Sequence, residues 1–458
     1  MSRSFDAIIV GAGQAGPALA GRLTTSGMNV ALIERGAVGG TCVNTGCTPT
    51  KTMVASAYVA RMASRADDYG VGIDGPPVID MAKVQARAAA VSSGSRDRLE
   101  QWLIGMARLT LLRGHARFTA PDTIEVGGEP ITAPKIFLNV GGRANAPAMP
   151  GLDQIDFLTN VSILELTEVP HNLVVIGGSY IGLEFAQMFR RFGAAVTVVE
   201  MSSRLIARED PEISEAIREM LIAEGIEIRT NATCISFAPH AEGIAASVDC
   251  TEGAPQVIGS HVLLAIGRKP NTDDLGLDQA GVTVDGRGYI QVDEGLATNV
   301  PGIWALGDCN GRGAFTHTAY NDFEIVAANL LDGENRRVSD RVPAYALYTD
   351  PPLGRVGLTE TQARDSGRPL LVSTRPISQV SRAIEKGETN GLMKVVADAE
   401  TRKILGAAIL GVGGDEAIHG LIDAMHADLD FPVLQWAVPI HPTVSELIPT
   451  LLGGLRPV

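Results

Sequence analysis

The chain has 458 residues and a formal net charge of −14 at pH 7. That charge excludes nucleic acid or an anionic membrane as the main partner, because both require basic surface. Its composition, 45% hydrophobic and 20% charged, is that of a globular enzyme, and its length predicts about three domains at roughly 150 residues each.

The N-terminus runs from MSRS directly into the strand-like DAIIV, without a secretory leader, so a cytoplasmic location is expected. No apolar run approaches the roughly 20 residues of a membrane span. DAIIV leads into the glycine turn GAGQAG, a helical stretch and NVALIE. This order predicts strand, turn, helix and strand. Gly11 permits the tight turn, Gly13 lets backbone approach a pyrophosphate, and Gly16 lets helix and strand pack closely. The pyrophosphate would sit at the helix N-terminus, where Pro17 is tolerated. Glu34 closes the second strand, placed to accept hydrogen bonds from a ribose diol.

Next comes GGTCVNTGCTPTK (39–51), with four residues between Cys42 and Cys47. A disulfide across so small a ring is constrained and reducible. The following TKTMVASAYVARMA predicts a helix, whose N-terminus would lower the thiol pKa of Cys47. Two unrelated buried thiols and half of a metal site are the competing readings, but no further Cys or His stands at zinc-site spacing, so no metal ligands are assigned. Cys234, Cys250 and Cys309 are scattered and read as structural. Between Gly105 and Gly141 short β-type segments alternate with turns, and APAMPG (146–151) marks a boundary.

The opening motif then recurs as NLVVIG, GSYIGLEFAQMFRRFG and AVTVVE. Gly177, Ser179 and Gly182 hold the three fingerprint positions, with Ser179 replacing the middle glycine. Gly177 to Glu200 is the same interval as Gly11 to Glu34. Glu200 favours a free 2′-hydroxyl and hence NADH over NADPH. Arg204 and Arg208 either soften that preference or lie on a solvated surface. GRKPNTDDLGL closes this region. After Pro343, the segments RVGLT, GLMKVVA and ILGAAIL predict strands of a separate C-terminal domain that ends in helices.

GAGQAG, GGTCVNTGCTPTK, GGSYIGLEFAQ, AIGRKPN (265–271), ATNVPGIWALGD (297–308) and HPTVSE (441–446) occur in this order across nearly the whole chain. In that order they resemble the pyridine nucleotide–disulfide oxidoreductases, which include dihydrolipoamide dehydrogenase, glutathione reductase and mercuric reductase. The resemblance implies an α/β fold with two Rossmann-like dinucleotide-binding domains and an α+β C-terminal dimerisation domain. Residues 1–148 and 268–343 would bind FAD, 149–267 NAD(P)H, and 344–458 would form the dimer interface.

The resemblance also implies residue roles. Gly11, Gly13, Gly16, Glu34, Gly40, Thr41, Gly267 and Asp308 would hold FAD, with Asp308 on the ribitol side. Gly177, Gly182 and Glu200 would hold the nicotinamide nucleotide. Tyr180, one turn before Glu184, would cover the flavin until nicotinamide displaces it. Lys51 and Glu184 would form an ion pair beside the reactive nitrogen. Electrons would pass from NAD(P)H through FAD to the Cys42–Cys47 disulfide. Cys47 would face the flavin and Cys42 the substrate. His441, oriented by Glu446, would act as acid/base on the other subunit's cysteines, which makes the active unit a homodimer. His419 and His426 receive no role.

The chain departs from its nearest branches in two places. It ends in LLGGLRPV, without the terminal cysteine pair of mercuric reductases. In FTHTAYNDFEI, Asp322-Phe323 replaces the Glu-Gly expected of a lipoamide enzyme. Together with PTKT and TDPPLGRVGLTE, this resembles a mercuric-reductase-like branch without metal-handling additions, linked to metal-ion reduction or oxidant defence, and a small disulfide or a metal ion is the acceptor expected here. Dihydrolipoamide dehydrogenase, and an NAD(P)H oxidase or quinone reductase that uses the flavin directly, are the enzymatic rivals. A flavin-bound interaction protein is the non-enzymatic one, and it would need neither the cysteine pair nor His441.

Overall fold

A computed structural model describes residues 3–249 and 253–458. Cys250 falls outside the described residues, as does the side chain of Cys234. The fold is α/β, and the chain divides into two compact units. The first comprises residues 1–53, 82–145 and 267–341, and the second residues 54–81, 146–266 and 342–458.

The first unit is built on a five-stranded parallel sheet. Its order is Ile303–Ala305, Ile136–Leu138, Ala7–Val10, Val30–Glu34 and Leu109–Arg113. The inner strands are apolar on both faces, as a covered parallel sheet requires. Ile8, Ile9, Leu32 and Phe137 are fully buried. Leu19 and Leu23 of the helix Ala15–Thr25 share a core with Phe323 and Val326 of the helix Thr316–Leu331. The β-type segments expected between Gly105 and Gly141 form a second sheet. In it Glu129–Thr132, Thr123–Val126 and Ala116–Ala120 run antiparallel.

The second unit repeats the nucleotide-binding arrangement. Glu227–Arg229, Ala195–Val199, Asn172–Ile176 and His261–Leu264 form a parallel sheet in that order. The helix Tyr180–Phe192 follows its glycine turn. The same unit holds a six-stranded antiparallel sheet in the order Ala344–Leu347, Leu353–Gly357, Ile404–Leu410, Leu392–Asp398, Leu370–Pro376 and Arg456–Pro457. It contains the three strands expected after Pro343, and Met393, Val395, Ala407 and Ile409 build its core. No helix among the described residues is long and apolar enough to cross a membrane.

Several buried charges inside the second unit are paired. Arg355 donates through Nε to Glu209 at 3.1 and 3.2 Å, with both side chains at most 2% exposed. Lys394 contacts Asp210 at 3.2 Å and Glu360 at 2.7 Å. Removing one member of such a pair leaves its partner charged and desolvated. Glu209→Ala is therefore expected to lose about 3–5 kcal/mol of stability, read as a lowered denaturant midpoint. A midpoint equal to wild type would contradict this account.

Candidate active site

Two glycine turns are constructed alike. A Cβ on Gly11 would lie 2.3 Å from the carbonyl oxygen of Asn139, and one on Gly177 would lie 2.5 Å from that of Ala265. A Cβ on Gly16 or Gly182 would meet the oxygen of Gly11 or Gly177 at 2.2 or 2.1 Å. Only glycine lets strand, turn and helix approach this closely. The acids match as well. Glu34 accepts from the N–H of Ala12 at 2.8 Å and of Gly36 at 2.8 Å. Glu200 accepts from Gly178 at 2.6 Å and Ser202 at 2.7 Å. Each carboxylate is thereby aimed across its turn, with lone pairs left over for a diol.

The redox segment is tied to the first turn. Gly39 N–H donates to Ala12 O at 2.8 Å, and a Cβ on Gly40 would lie 2.8 Å from Gly13 Cα. Gly40–Thr45 forms a short helix, and a second helix, Cys47–Ser64, starts at Cys47 itself. The helix thus begins one turn earlier than TKTMVASAYVARMA suggests, and Cys47 occupies its first position. Lys51 stands one turn further along this helix.

Cys42 and Cys47 are both free thiols here, and their environments push them apart. The hydrogen bond from Cys42 is the largest influence on Cys47. Together with the Thr316 hydroxyl and the Lys51 charge it outweighs burial, and the Cys47 pKa falls to about 6. Cys42 moves well above the ordinary thiol range, first because its proton is shared with Cys47 and then because it is desolvated. The two shifts run in opposite directions, favouring the charge on Cys47 and the proton on Cys42. Thr316 Oγ1 lies 3.3 Å from Cys47 Sγ. Cys309 is buried, its pKa pushed up to about 12 by desolvation.

Asp308 sits in the turn after Ile303–Ala305, and burial raises its pKa against the opposing charge of Arg268. Arg268 reaches Asp308 Oδ2 at 3.3 Å and Thr41 Oγ1 at 3.4 Å. Gly267, just before it, has φ of 110°. Asp322 has a structural task. It is 2% exposed, accepts from Gly307 N–H at 2.8 Å and Asn310 Nδ2 at 2.9 Å, and pairs with Arg341. It thereby braces the turn that presents Asp308. Thr316, Arg268 and Asn139 do not stand out in the sequence, because each joins the site through contacts distant along the chain.

The remaining candidates lie in the second unit. Glu184 is buried and accepts from Tyr348 N–H at 2.9 Å. Arg208 is exposed, as a surface arginine would be, and its guanidinium also lies 5.8 Å from the Tyr180 ring centre and 5.3 Å from that of Tyr345. Arg204 donates to Ala207 O at 3.2 Å. His441 Nδ1 is 2.9 Å from Glu446 Oε2, with the imidazole 72% exposed. This is the geometry of a base held in orientation by a carboxylate. Trp436, Val438 and Ile440, just before it, are at least 80% exposed, an apolar stretch suited to burial against another chain.

Known proteins resemble the whole chain. A family model described as pyridine nucleotide-disulphide oxidoreductase matches residues 5–322, and the corresponding dimerisation domain matches residues 343–452. A mercuric reductase of Bacillus cereus is 35% identical over 442 residues, covering 96% of this chain and 70% of that protein. The probable pyridine nucleotide-disulfide oxidoreductase RclA of Escherichia coli (strain K12) is 34% identical over 461 residues, with 99% of each chain covered. The solved Cu(II) complex of the HOCl-induced flavoprotein disulfide reductase RclA from Escherichia coli matches with a TM-score of 0.90, covering 99% of each chain.

Proposed function

The chain belongs to the pyridine nucleotide-disulphide oxidoreductase family, and from that premise we propose that it oxidises NADH and passes the electrons through Cys42 and Cys47 to a small disulfide or a metal ion. FAD is expected throughout this family. The residues fit it, since glycine at positions 11 and 16 lets strand, turn and helix close up as a pyrophosphate-binding turn requires, and Glu34 is held across that turn. Gly13, Gly40, Thr41, Gly267 and Asp308 would complete the contacts. Bound FAD supplies two-electron exchange between a nicotinamide hydride and a thiol pair.

The observation that carries this reading is the placement of Cys47 at the first position of a helix, 3.3 Å from Thr316 Oγ1, with Cys42 hydrogen-bonded to it. Cys47, at a helix N-terminus beside Thr316 and Lys51, holds negative charge. Cys42 keeps its proton and cannot attack a substrate until a base removes it. His441, oriented by Glu446, is that base, contributed by the other subunit. The dimerisation domain supports a homodimer. When Cys42 attacks an acceptor disulfide, one acceptor thiol leaves with a proton. Cys47 then displaces the second, and the Cys42–Cys47 bond re-forms. Two electrons leave the enzyme, and two acceptor thiols form. Lys51 and Glu184 are proposed to pair beside the reactive end of the cofactor. The parts assigned are 1–148 and 268–343 for FAD, 149–267 for NADH, and 344–458 for the interface, in a cytoplasmic enzyme.

Glu200 supports the choice of NADH, since both its oxygens accept from backbone N–H groups and its charge would oppose a 2′-phosphate. Steady-state turnover with NADH and NADPH against small disulfides, Hg(II), Cu(II) and quinones tests the reading. Expected are a kcat/KM at least tenfold higher for NADH, about 1.4 kcal/mol of discrimination, and best turnover with a disulfide or metal ion. Fast turnover with quinones alone would favour direct use of the flavin, and a rapid dihydrolipoamide reaction would favour the lipoamide enzyme.

A further inference from the structure

We propose that Arg208 is a positioning residue for Tyr180, setting how readily that ring yields to the nicotinamide. The inference rests on the reading of Tyr180 as the residue nicotinamide displaces, and it concerns what holds that ring beforehand. The Arg208 guanidinium lies 5.8 Å from the Tyr180 centroid and 5.3 Å from the Tyr345 centroid, so one cation serves two aromatic faces.

Both ends of this stack are anchored. The Tyr345 hydroxyl donates to Glu209, which is 1% exposed and held by Arg355. On the other side, the loop that carries Arg208 is clamped to the turn from which Tyr180 starts its helix. Ile206 N–H donates to Gly178 O at 2.9 Å. Leu205 Cδ2 occupies the space a Cβ on Gly178 would need, at 2.6 Å. Ile206 itself has φ of 43°. A β-branched residue rarely adopts that conformation, and it persists only where the surroundings over-determine it. The strained residue swings the chain so that Arg208 faces the rings. With its guanidinium beside both rings, Arg208 is read here as a holder of Tyr180 and not as a reader of a 2′-phosphate.

Tyr180 held by Arg208 resists displacement. Arg208→Gln is expected to lower the nucleotide concentration for half-maximal flavin reduction about two- to fivefold, the change that an exposed cation–π contact supports. The experiment is stopped-flow reduction of the FAD-loaded dimer by NADH and by NADPH. The variants are R208Q, R208K, Y180A and R208Q/Y180A. Three results support the inference. R208Q shifts NADH and NADPH by the same factor, R208K restores part of the wild-type value, and R208Q has no further effect in the Y180A background. An R208Q effect that persists undiminished without Tyr180, or that falls on NADPH alone, overturns the inference and leaves the gate reading intact. So does an unchanged half-saturation in R208Q. Y180A with wild-type reduction kinetics sinks the gate reading itself.

Discussion

Cys42→Ser is expected to abolish turnover with the acceptor, by roughly 10³-fold or more, while reduction of the enzyme by NADH survives. The split follows from the separate environments of the two sulfurs. Cys42 is the thiol that keeps its proton, and its neighbour carries the charge. Serine at position 42 removes the nucleophile proposed to meet the acceptor but leaves Cys47 at the start of its helix, 3.3 Å from Thr316. Rapid-mixing reduction by NADH followed by steady-state turnover separates the two half-reactions. Acceptor turnover within a fewfold of wild type in Cys42→Ser would mean that the flavin reduces the acceptor directly.

His441→Gln is expected to lower kcat by about 10²–10⁴-fold, the usual range for loss of a general acid–base. Cys42 makes the need plain, because its pKa lies above the ordinary thiol range and deprotonation must be assisted. Glu446→Gln leaves the imidazole in place but weakens its orientation, now fixed at 2.9 Å, so a smaller loss is expected. Because the histidine would serve the other subunit, the assignment carries a further consequence. Mixed dimers of Cys42→Ser and His441→Gln chains should regain activity at one of their two sites. Mixtures no more active than the parents would place the base within its own chain.

Local features of this site were legible in the sequence because local geometry creates them. The interval from glycine to acid, repeated at Glu34 and Glu200, is the length of one strand–turn–helix–strand unit, and both turns are built as that pattern implies. The short spacing of Cys42 and Cys47 likewise brings the two thiols together at one helix start. Contacts made by folding were not legible. Thr316 reaches Cys47 across 269 positions of sequence. Asp322 stood out only as a departure from relatives, and its task becomes visible once Gly307, Asn310 and Arg341 surround it. Arg208 is the clearest case. An arginine a few residues past Glu200 suggests phosphate or solvent, and nothing about an isoleucine at 206 announces a positive φ that turns the chain toward two tyrosines.

Electrons are proposed to pass from NADH through the flavin to the cysteine pair, with Cys47 holding the charge. Anaerobic titration of the FAD-loaded enzyme with NADH, followed by absorbance across a range of pH, tests it most directly. A long-wavelength thiolate–flavin band should appear on reduction, stand at full height above pH 7 and fade as pH drops through about 6, where Cys47 takes up its proton. It should be missing in Cys47→Ser. Bleaching of the flavin by NADH with no such band at any pH in the wild-type enzyme would contradict the account.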